Sequence, residues 1–234
     1  MVSGVKFDVR WESRNTIFWG YMMNRVYFLG GSPGSGKTTF TDAIHRNLGV
    51  EVFHTDDIFL KSNVSKNKQP YMSELRELSN PLDIWKHSPQ SCLDFWIKYY
   101  EEAFGLLMEN LHQRQENPHP VIAEGVCILP HFLEKINYHS NSYFLISCYK
   151  FLEEAVSQKL KQLPASLYNN ESYIYENMLY TFSGISQIMI EDCKRINFPY
   201  LIMQNLEDYS LIHQKILNQF SHLEKECDES AMGQ

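Results

Sequence analysis

The chain has 234 residues, 44% of them hydrophobic, and a formal net charge of −7 at pH 7. Such a hydrophobic content excludes a disordered chain, and the length suits one α/β domain with at most a small insertion. The acidic balance argues against nucleic acid as the main partner, because its phosphate backbone calls for a basic surface. No apolar stretch reaches the length of a transmembrane helix, so no membrane partner is expected.

The spacing of cysteine and histidine predicts no metal site. Because the five cysteines are scattered and form no C-x-x-C pair, we interpret them as reduced thiols of a cytoplasmic protein. The nine histidines show no ligand spacing such as H-E-x-x-H, so they are interpreted as surface or packing residues. The cysteines are Cys92, Cys127, Cys148, Cys193 and Cys227.

The two ends of the chain are predicted to lie outside the main domain. Residues 1–21 mix charged and aromatic side chains without a clear period, and their apolar part is too short for a secretory signal. This extension is an upstream start, a cloning remnant or a loosely attached arm, and the three alternatives stay open. Residues 22–222 are predicted to form a single domain, followed by a polar tail over 223–234.

The most informative segment, residues 31–38, follows the pattern G-x-x-x-x-G-K-[ST] of a phosphate-binding loop. In this pattern the glycines let backbone N–H groups surround an anion, Lys37 supplies positive charge to the β- and γ-phosphates, and the Thr38 hydroxyl reaches Mg²⁺. The apolar run Val26–Leu29 precedes the loop, and a helical pattern closed by Gly49 follows it. This order predicts a nucleotide site formed by Gly31, Ser32, Pro33, Gly34, Ser35, Gly36, Lys37, Thr38 and Thr39.

A second strand is predicted over Glu51–Thr55, and it ends on Asp56 and Asp57. Ligands of open parallel sheets lie at the carboxyl ends of the strands, so a carboxylate there is well placed for chemistry. An aspartate at this position accepts the proton of an attacking hydroxyl or holds Mg²⁺ through water. The alternative is that one of the two caps the next segment. We assign a functional role to at least one of them, with Asp56 ahead of Asp57.

A third predicted strand, Val121–Gly125, ends with the carboxylate Glu124 and a glycine. Glu124 is expected to act on Mg²⁺ through water or on a substrate hydroxyl, and Gly125 is expected to allow close approach of the substrate. The alternative for Glu124 is an ion pair with a basic neighbour.

The remaining elements complete an alternation of strands and helices. Residues 61–80 are interpreted as a loop or short helix over the site, or as a solvated connection. A long helix is predicted to begin at Ser88–Pro89. Two further strands are predicted over 143–146 and 200–203, with helices over 151–162 and 172–197 between them. The core face of the long helix is predicted to be Leu93, Trp96, Ile97, Tyr100, Phe104, Leu107, Met108 and Leu111.

Four stretches carry a resemblance to a known group of enzymes: the phosphate loop, HTDDIF, VIAEGVCILP and the pair YIYENMLYTF and CKRINFPYLIMQN. Together they resemble the P-loop small-molecule kinases of the 2-phosphoglycerate kinase-like group, which is related to zeta-toxin-type and nucleotide kinases. The similarity extends from about Met23 to about Ile216. It implies an α/β P-loop NTPase fold whose five-stranded parallel sheet has the order 2-3-1-4-5, flanked by helices, with a lid after the fourth strand. It also implies ATP and Mg²⁺ as cofactors.

The predicted lid departs from this group, whose members usually place arginines there to neutralise the transferring phosphoryl. Residues 163–193 contain no lysine or arginine. Arg195 matches the stretch in which related proteins carry a cation facing the site, and we expect it to supply that charge together with Lys61 or Lys159. The alternative for Arg195 is a surface charge at a helix C-terminus.

These observations predict ATP-dependent phosphoryl transfer to a hydroxyl of a small-molecule acceptor. The predicted catalytic residues are Lys37, Asp56, Glu124 and Arg195, and Mg²⁺ is expected on Thr38 with Asp56 or Glu124 through water. Two alternatives stay open: a nucleotide-binding protein without phosphoryl transfer, and a toxin-type kinase or an NTPase that works on a macromolecular partner. The acceptor, the choice between ATP and GTP, and the oligomeric state are left undetermined.

Overall fold

The fold is described from a computed structural model, which covers residues 25–57, 64–114, 119–139, 141–163, 172–204, 209–220 and 223. Five strands lie in these segments: β1 (Val26–Gly31), β2 (Glu51–His54), β3 (Val121–Gly125), β4 (Ser142–Ser147) and β5 (Tyr200–Met203). All neighbouring strands are parallel, and their order is β2-β3-β1-β4-β5. The predicted sheet is therefore confirmed, and it is the sheet of a P-loop NTPase flanked by helices.

The helices of the described segments connect these strands. They are α1 (Lys37–Leu48), α2 (Pro70–Glu77), a 3₁₀ helix (Pro81–Lys86), α3 (Pro89–Gln113), α4 (Pro130–Lys135), α5 (Tyr149–Lys161), α6 (Ser172–Ile196) and α7 (Tyr209–Gln219). Within the described part of the chain, no helix combines the length and the apolar character needed to span a membrane. The four cysteines in that part are free thiols, and Cys227 lies outside it.

The sheet is buried on both faces, because the side chains of β1 alternate between two apolar clusters. Val26 and Phe28 point into the larger cluster, which includes residues of α3 and α6. Tyr27 and Leu29 point into the smaller one, together with residues of α1 and α7. Such double coverage explains why β1 is apolar throughout and not alternately polar, as expected for a central parallel strand.

The buried face of α3 differs from the predicted one in its first turns. Cys92 and Phe95 are buried there, whereas the predicted Leu93, Trp96 and Ile97 are only partly buried against the same core. This part of the helix contacts α2, the 3₁₀ helix and α6, so its neighbours lie on more than one side. A single stripe of apolar residues does not describe a helix packed in this way.

Candidate active site

The phosphate loop leaves the carboxyl end of β1 and leads directly into α1. A side chain at Gly31 is excluded, because a Cβ atom there would lie 2.0 Å from the carbonyl oxygen of Leu145. Gly36 caps α1 with a left-handed backbone conformation, φ 79°, which glycine adopts without a steric penalty. The chain thus turns sharply between β1 and α1, and the loop lies at the N-terminus of α1, the end of a helix that binds anions.

Strand β4 holds the loop from the other side. The backbone N–H of Ser32 donates to the carbonyl of Leu145 at 3.1 Å. The backbone N–H of Ser147 donates to Ser32 Oγ at 2.7 Å, and Ser147 Oγ donates to the carbonyl of Pro33 at 2.7 Å. Ser147 belongs to no sequence motif, yet its two contacts fix the start of the phosphate loop.

Lys37, which is expected to bind the phosphates, is buried against the phosphate loop. Its Nζ donates to the carbonyl of Ser32 at 2.9 Å and to Ser35 Oγ at 3.4 Å. Burial lowers the pKa of the Lys37 ammonium, and the negative charges of Glu124 and Asp56 offset part of that shift. A phosphate anion would stabilise the charged ammonium in the same way, so the position favours an anionic ligand.

Glu124 connects the loop to the two neighbouring strands. The register pairs it with Leu29 of β1 and with His54 of β2. Its Oε1 accepts a hydrogen bond from the Thr38 hydroxyl at 3.1 Å, and His54 Nδ1 lies 2.7 Å from the same atom. The histidine spacing predicts a surface or packing role for His54, but the structure places His54 in contact with Glu124, a candidate site residue.

Asp56 directly follows β2, so it lies at the carboxyl end of the sheet, where the phosphate loop leaves β1. It is exposed, as is Asp57. Its charge acts on Lys37, and it also contributes to the raised pKa of Tyr99, which burial brings to about 12. Asp56 therefore lies near both Lys37 of the phosphate loop and Tyr99 of α3.

The space beside Gly125 is occupied by the protein itself. A Cβ atom on Gly125 would lie 1.8 Å from Thr55 Oγ1. Thr55 is buried, and the buried Cys127 thiol lies close enough to it to interact. The expectation that Gly125 admits the substrate is therefore corrected: this glycine allows β3 to pack against the end of β2.

Helix α2 packs against α3 and is anchored by a carboxylate of that helix. Glu102 accepts hydrogen bonds from the backbone N–H groups of Tyr71, at 3.1 Å, and Met72, at 2.9 Å. These are N–H groups of the first turn, which have no partner within the helix. The exposed Arg76 lies on the anchored helix and acts on the Tyr99 hydroxyl. Residues 61–80 were expected to form a loop, a short helix or a solvated connection, and Pro70–Glu77 forms a short helix.

Arg195 is placed away from the phosphate loop. Its guanidinium donates to Glu134 at 2.8 Å and to Asp192 at 2.9 Å, and its side chain is 53% exposed. It lies near the end of α6, which leads into the amino end of β5, whereas the loop follows the carboxyl end of β1. The assignment of Arg195 to the site is therefore corrected. Its ion pairs fit a surface charge at a helix C-terminus.

The other predicted cations contribute less to the described site. Lys159 is exposed on α5, with its ammonium 6.0 Å from the centre of the Phe182 ring. Lys61 and the segment 164–171, which includes the start of the predicted lid, lie outside the described residues.

The donors near Thr38 fit a magnesium ion held partly by a nucleotide. Mg²⁺ prefers oxygen ligands, and it is commonly bound by one or two protein oxygens together with substrate phosphates. Thr38 is exposed, and its hydroxyl lies 3.1 Å from the Glu124 carboxylate. In the described part of the chain, no group of three or more His, Cys, Asp or Glu side chains could hold a metal without such a ligand.

No family model and no curated protein matches the chain. Among solved structures, the chain is similar to TT1252 from Thermus thermophilus, with 17% identity and a TM-score of 0.43, over 83% of this chain and 96% of that one. It is also similar to the deoxyadenosine kinase from M. mycoides with bound dATP, with 15% identity and a TM-score of 0.44, over 82% and 99% of the two chains. Similarity at this level does not assign an activity to the chain.

Proposed function

We propose that the protein transfers the γ-phosphoryl group of ATP to a hydroxyl of a small-molecule acceptor. The observation that carries this proposal is that the exposed carboxylate of Asp56 directly follows β2, at the carboxyl end of the parallel sheet from which the phosphate loop leaves, and that its charge acts on the buried Lys37. A phosphate loop alone accounts for nucleotide binding. A carboxylate at the same end of the sheet supplies a base for the hydroxyl of a second substrate.

Each candidate residue has a separate role in the reaction. When ATP binds, the Lys37 ammonium leaves the Ser32 carbonyl and donates to oxygens of the β- and γ-phosphates. The acceptor oxygen attacks the γ-phosphorus, the bond from that phosphorus to the bridging oxygen of ADP breaks, and Asp56 takes the hydroxyl proton. Thr38 and Glu124 would hold Mg²⁺, which supplies neutralisation of the phosphate charge when it is bound.

We place the acceptor between Asp56 and helix α2. Asp56 raises the pKa of the Tyr99 hydroxyl and Arg76 lowers it, because their charges are opposite, so both charged groups lie near this hydroxyl. Tyr99 also packs edge to face on Trp96, with ring centres 5.0 Å apart. Aromatic rings beside a few polar groups are typical of sites for small molecules, so Tyr99 and Trp96 would contact the acceptor while Asp56 and Arg76 bind its polar groups.

One observation favours a second function, nucleotide binding without phosphoryl transfer. The segment 163–193 has no basic residue, and Arg195 is paired with surface carboxylates. A kinase without an arginine near the transferring group gives up a large contribution to its rate.

A screen for acceptor-dependent ADP release tests the proposal. Purified protein, ATP and Mg²⁺ are mixed with pools of hydroxylated metabolites, and ADP is measured for the wild type and for Asp56→Asn. We expect at least one pool to raise ADP release in the wild type only. ATP binding without acceptor-dependent ADP release in any pool would instead support the second function.

A further inference from the structure

His54 ends strand β2 at the point where the sheet meets the phosphate loop. In the parallel register it is the partner of Glu124 on β3. Neighbouring strands lie roughly 4.8 Å apart and paired residues point to the same face, so the two side chains have to meet. The Glu124 side chain is 7% exposed and that of His54 is 31% exposed, which leaves the contact largely shielded from water.

The direction of the hydrogen bonds follows from the chemistry of the carboxylate. An ionised carboxylate only accepts hydrogen bonds, so Nδ1 of His54 carries the proton in this contact. The Thr38 hydroxyl donates to the same oxygen, Oε1, at 3.1 Å, while His54 Nδ1 lies at 2.7 Å. One oxygen of Glu124 is therefore held from two directions, and this fixes the plane of the carboxylate.

The second nitrogen of His54 faces α1. Its Nε2 lies 3.8 Å from Asp42 Oδ1, which is beyond hydrogen-bond distance. Asp42 and Thr38 are four residues apart on α1 and lie on the same side of the helix. The imidazole thus lies between α1, which begins at the phosphate loop, and β3, which carries Glu124.

We propose that His54 is a positioning residue that orients Glu124 for the metal of a bound nucleotide. The inference rests on the proposed function, because it concerns ATP bound with Mg²⁺. Among the described residues, loss of His54 leaves one hydrogen bond to the carboxylate, that of the Thr38 hydroxyl, and a glutamate with one such bond samples more rotamers. Groups that orient a metal-binding carboxylate in this way typically contribute about 10- to 100-fold to metal affinity.

The experiment measures how strongly Mg²⁺ improves ATP binding, by calorimetric titration of the full chain with ATP in the presence and absence of Mg²⁺. The variants are His54→Ala, His54→Asn and His54→Gln. The side-chain amide of asparagine reaches the position of Nδ1, and that of glutamine reaches the position of Nε2. We expect His54→Ala and His54→Gln to lose about tenfold or more of the Mg²⁺ enhancement, and His54→Asn to keep most of it.

His45→Ala serves as the matched control. His45 lies on α1, and its Nδ1 contacts the carbonyl of Val50 at 2.7 Å, so this variant also loses a histidine contact with its neighbours. We expect its Mg²⁺ enhancement to equal that of the wild type. If His54→Ala does not fold, the contrast between His54→Asn and His54→Gln decides the question.

Two results would overturn the inference alone: an unchanged Mg²⁺ enhancement in His54→Ala, or equal losses in the asparagine and glutamine variants. A wild-type protein that does not bind ATP at all would overturn the proposed function as well. The wild-type titration therefore separates the two failures.

Discussion

The Thr38 hydroxyl and the Glu124 carboxylate lie 3.1 Å apart, although they belong to α1 and β3. The contact places an oxygen of the phosphate loop beside an oxygen of β3, and oxygen atoms are the ligands that Mg²⁺ prefers in proteins. Thr38 is held by the first turn of α1 and Glu124 by β3. The packing of α1 on the sheet therefore sets the distance between these two candidate ligands.

Glu124→Gln is expected to lower phosphoryl transfer by about tenfold or more, because the amide keeps the shape of the side chain and removes its charge. Turnover is measured at saturating ATP once an acceptor is known. The matched control is Glu109→Gln, the same change at an exposed position of α3. Equal turnover in both variants would remove Glu124 from the site.

Asp56→Asn is expected to reduce turnover by about a hundredfold or more while ATP affinity stays close to that of the wild type, since its partner is the acceptor hydroxyl. Asp57→Asn is the natural comparison, because both aspartates are exposed at the end of β2. Single-turnover transfer and ATP titration are measured for each. If Asp57→Asn is the variant that loses activity, the two roles are exchanged.

Arg195→Ala is expected to leave ATP affinity and turnover unchanged. The half-exposed guanidinium is paired with Glu134 and Asp192, and exposed ion pairs of this kind contribute little to stability. Chemical denaturation and the transfer assay measure the two effects separately. A loss of turnover without a loss of stability would show that Arg195 takes part in the reaction, against this prediction.

The pair of His131 and Asp192 predicts a loss of stability in acid. Burial lowers the pKa of the His131 imidazole below its ordinary value of 6.5, and the contact with Asp192, at 2.6 Å, offsets only part of that shift. As the pH falls through 6.5, the unfolded chain therefore takes up a proton before the folded one does, and the free energy of unfolding decreases.

His131→Asn removes the titrating group and keeps a donor for Asp192. We expect this variant to lose less stability than the wild type between about pH 7.5 and about pH 5.5, as measured by urea denaturation. His87→Asn, at an exposed position, is the control and should follow the wild type. Parallel losses in the wild type and His131→Asn would show that this histidine does not contribute.

Much of the fold could be predicted because its strands are short apolar runs with clear ends. Strands β3 and β5 have the predicted bounds, Val121–Gly125 and Tyr200–Met203. The sheet order came from the resemblance, since hydrophobic patterns do not specify which strands are neighbours. The long helix was also predicted, but its buried face depends on α2, the 3₁₀ helix and α6, which the pattern of one helix does not contain.

The candidate site was less predictable, because its contacts join residues that are far apart in the chain. His54 and Glu124 are 70 positions apart, and Ser32 and Ser147 are 115 apart. The phosphate loop could be predicted from a local pattern, whereas these pairs depend on the parallel register of the strands. Arg195 shows the converse problem: a suitable residue type near a suitable stretch carries no information on which end of the sheet it occupies.

Binding of ATP with Mg²⁺ to the phosphate loop tests the central claim most directly. Titration calorimetry and thermal unfolding are carried out on the wild type and on Lys37→Ala. We expect the wild type to bind and to gain about 2.7 kcal/mol of stability when ATP is at a hundred times its dissociation constant, and Lys37→Ala to lose most of both effects. Equal affinity and equal stabilisation in the two proteins would contradict the account, because the nucleotide would then bind elsewhere.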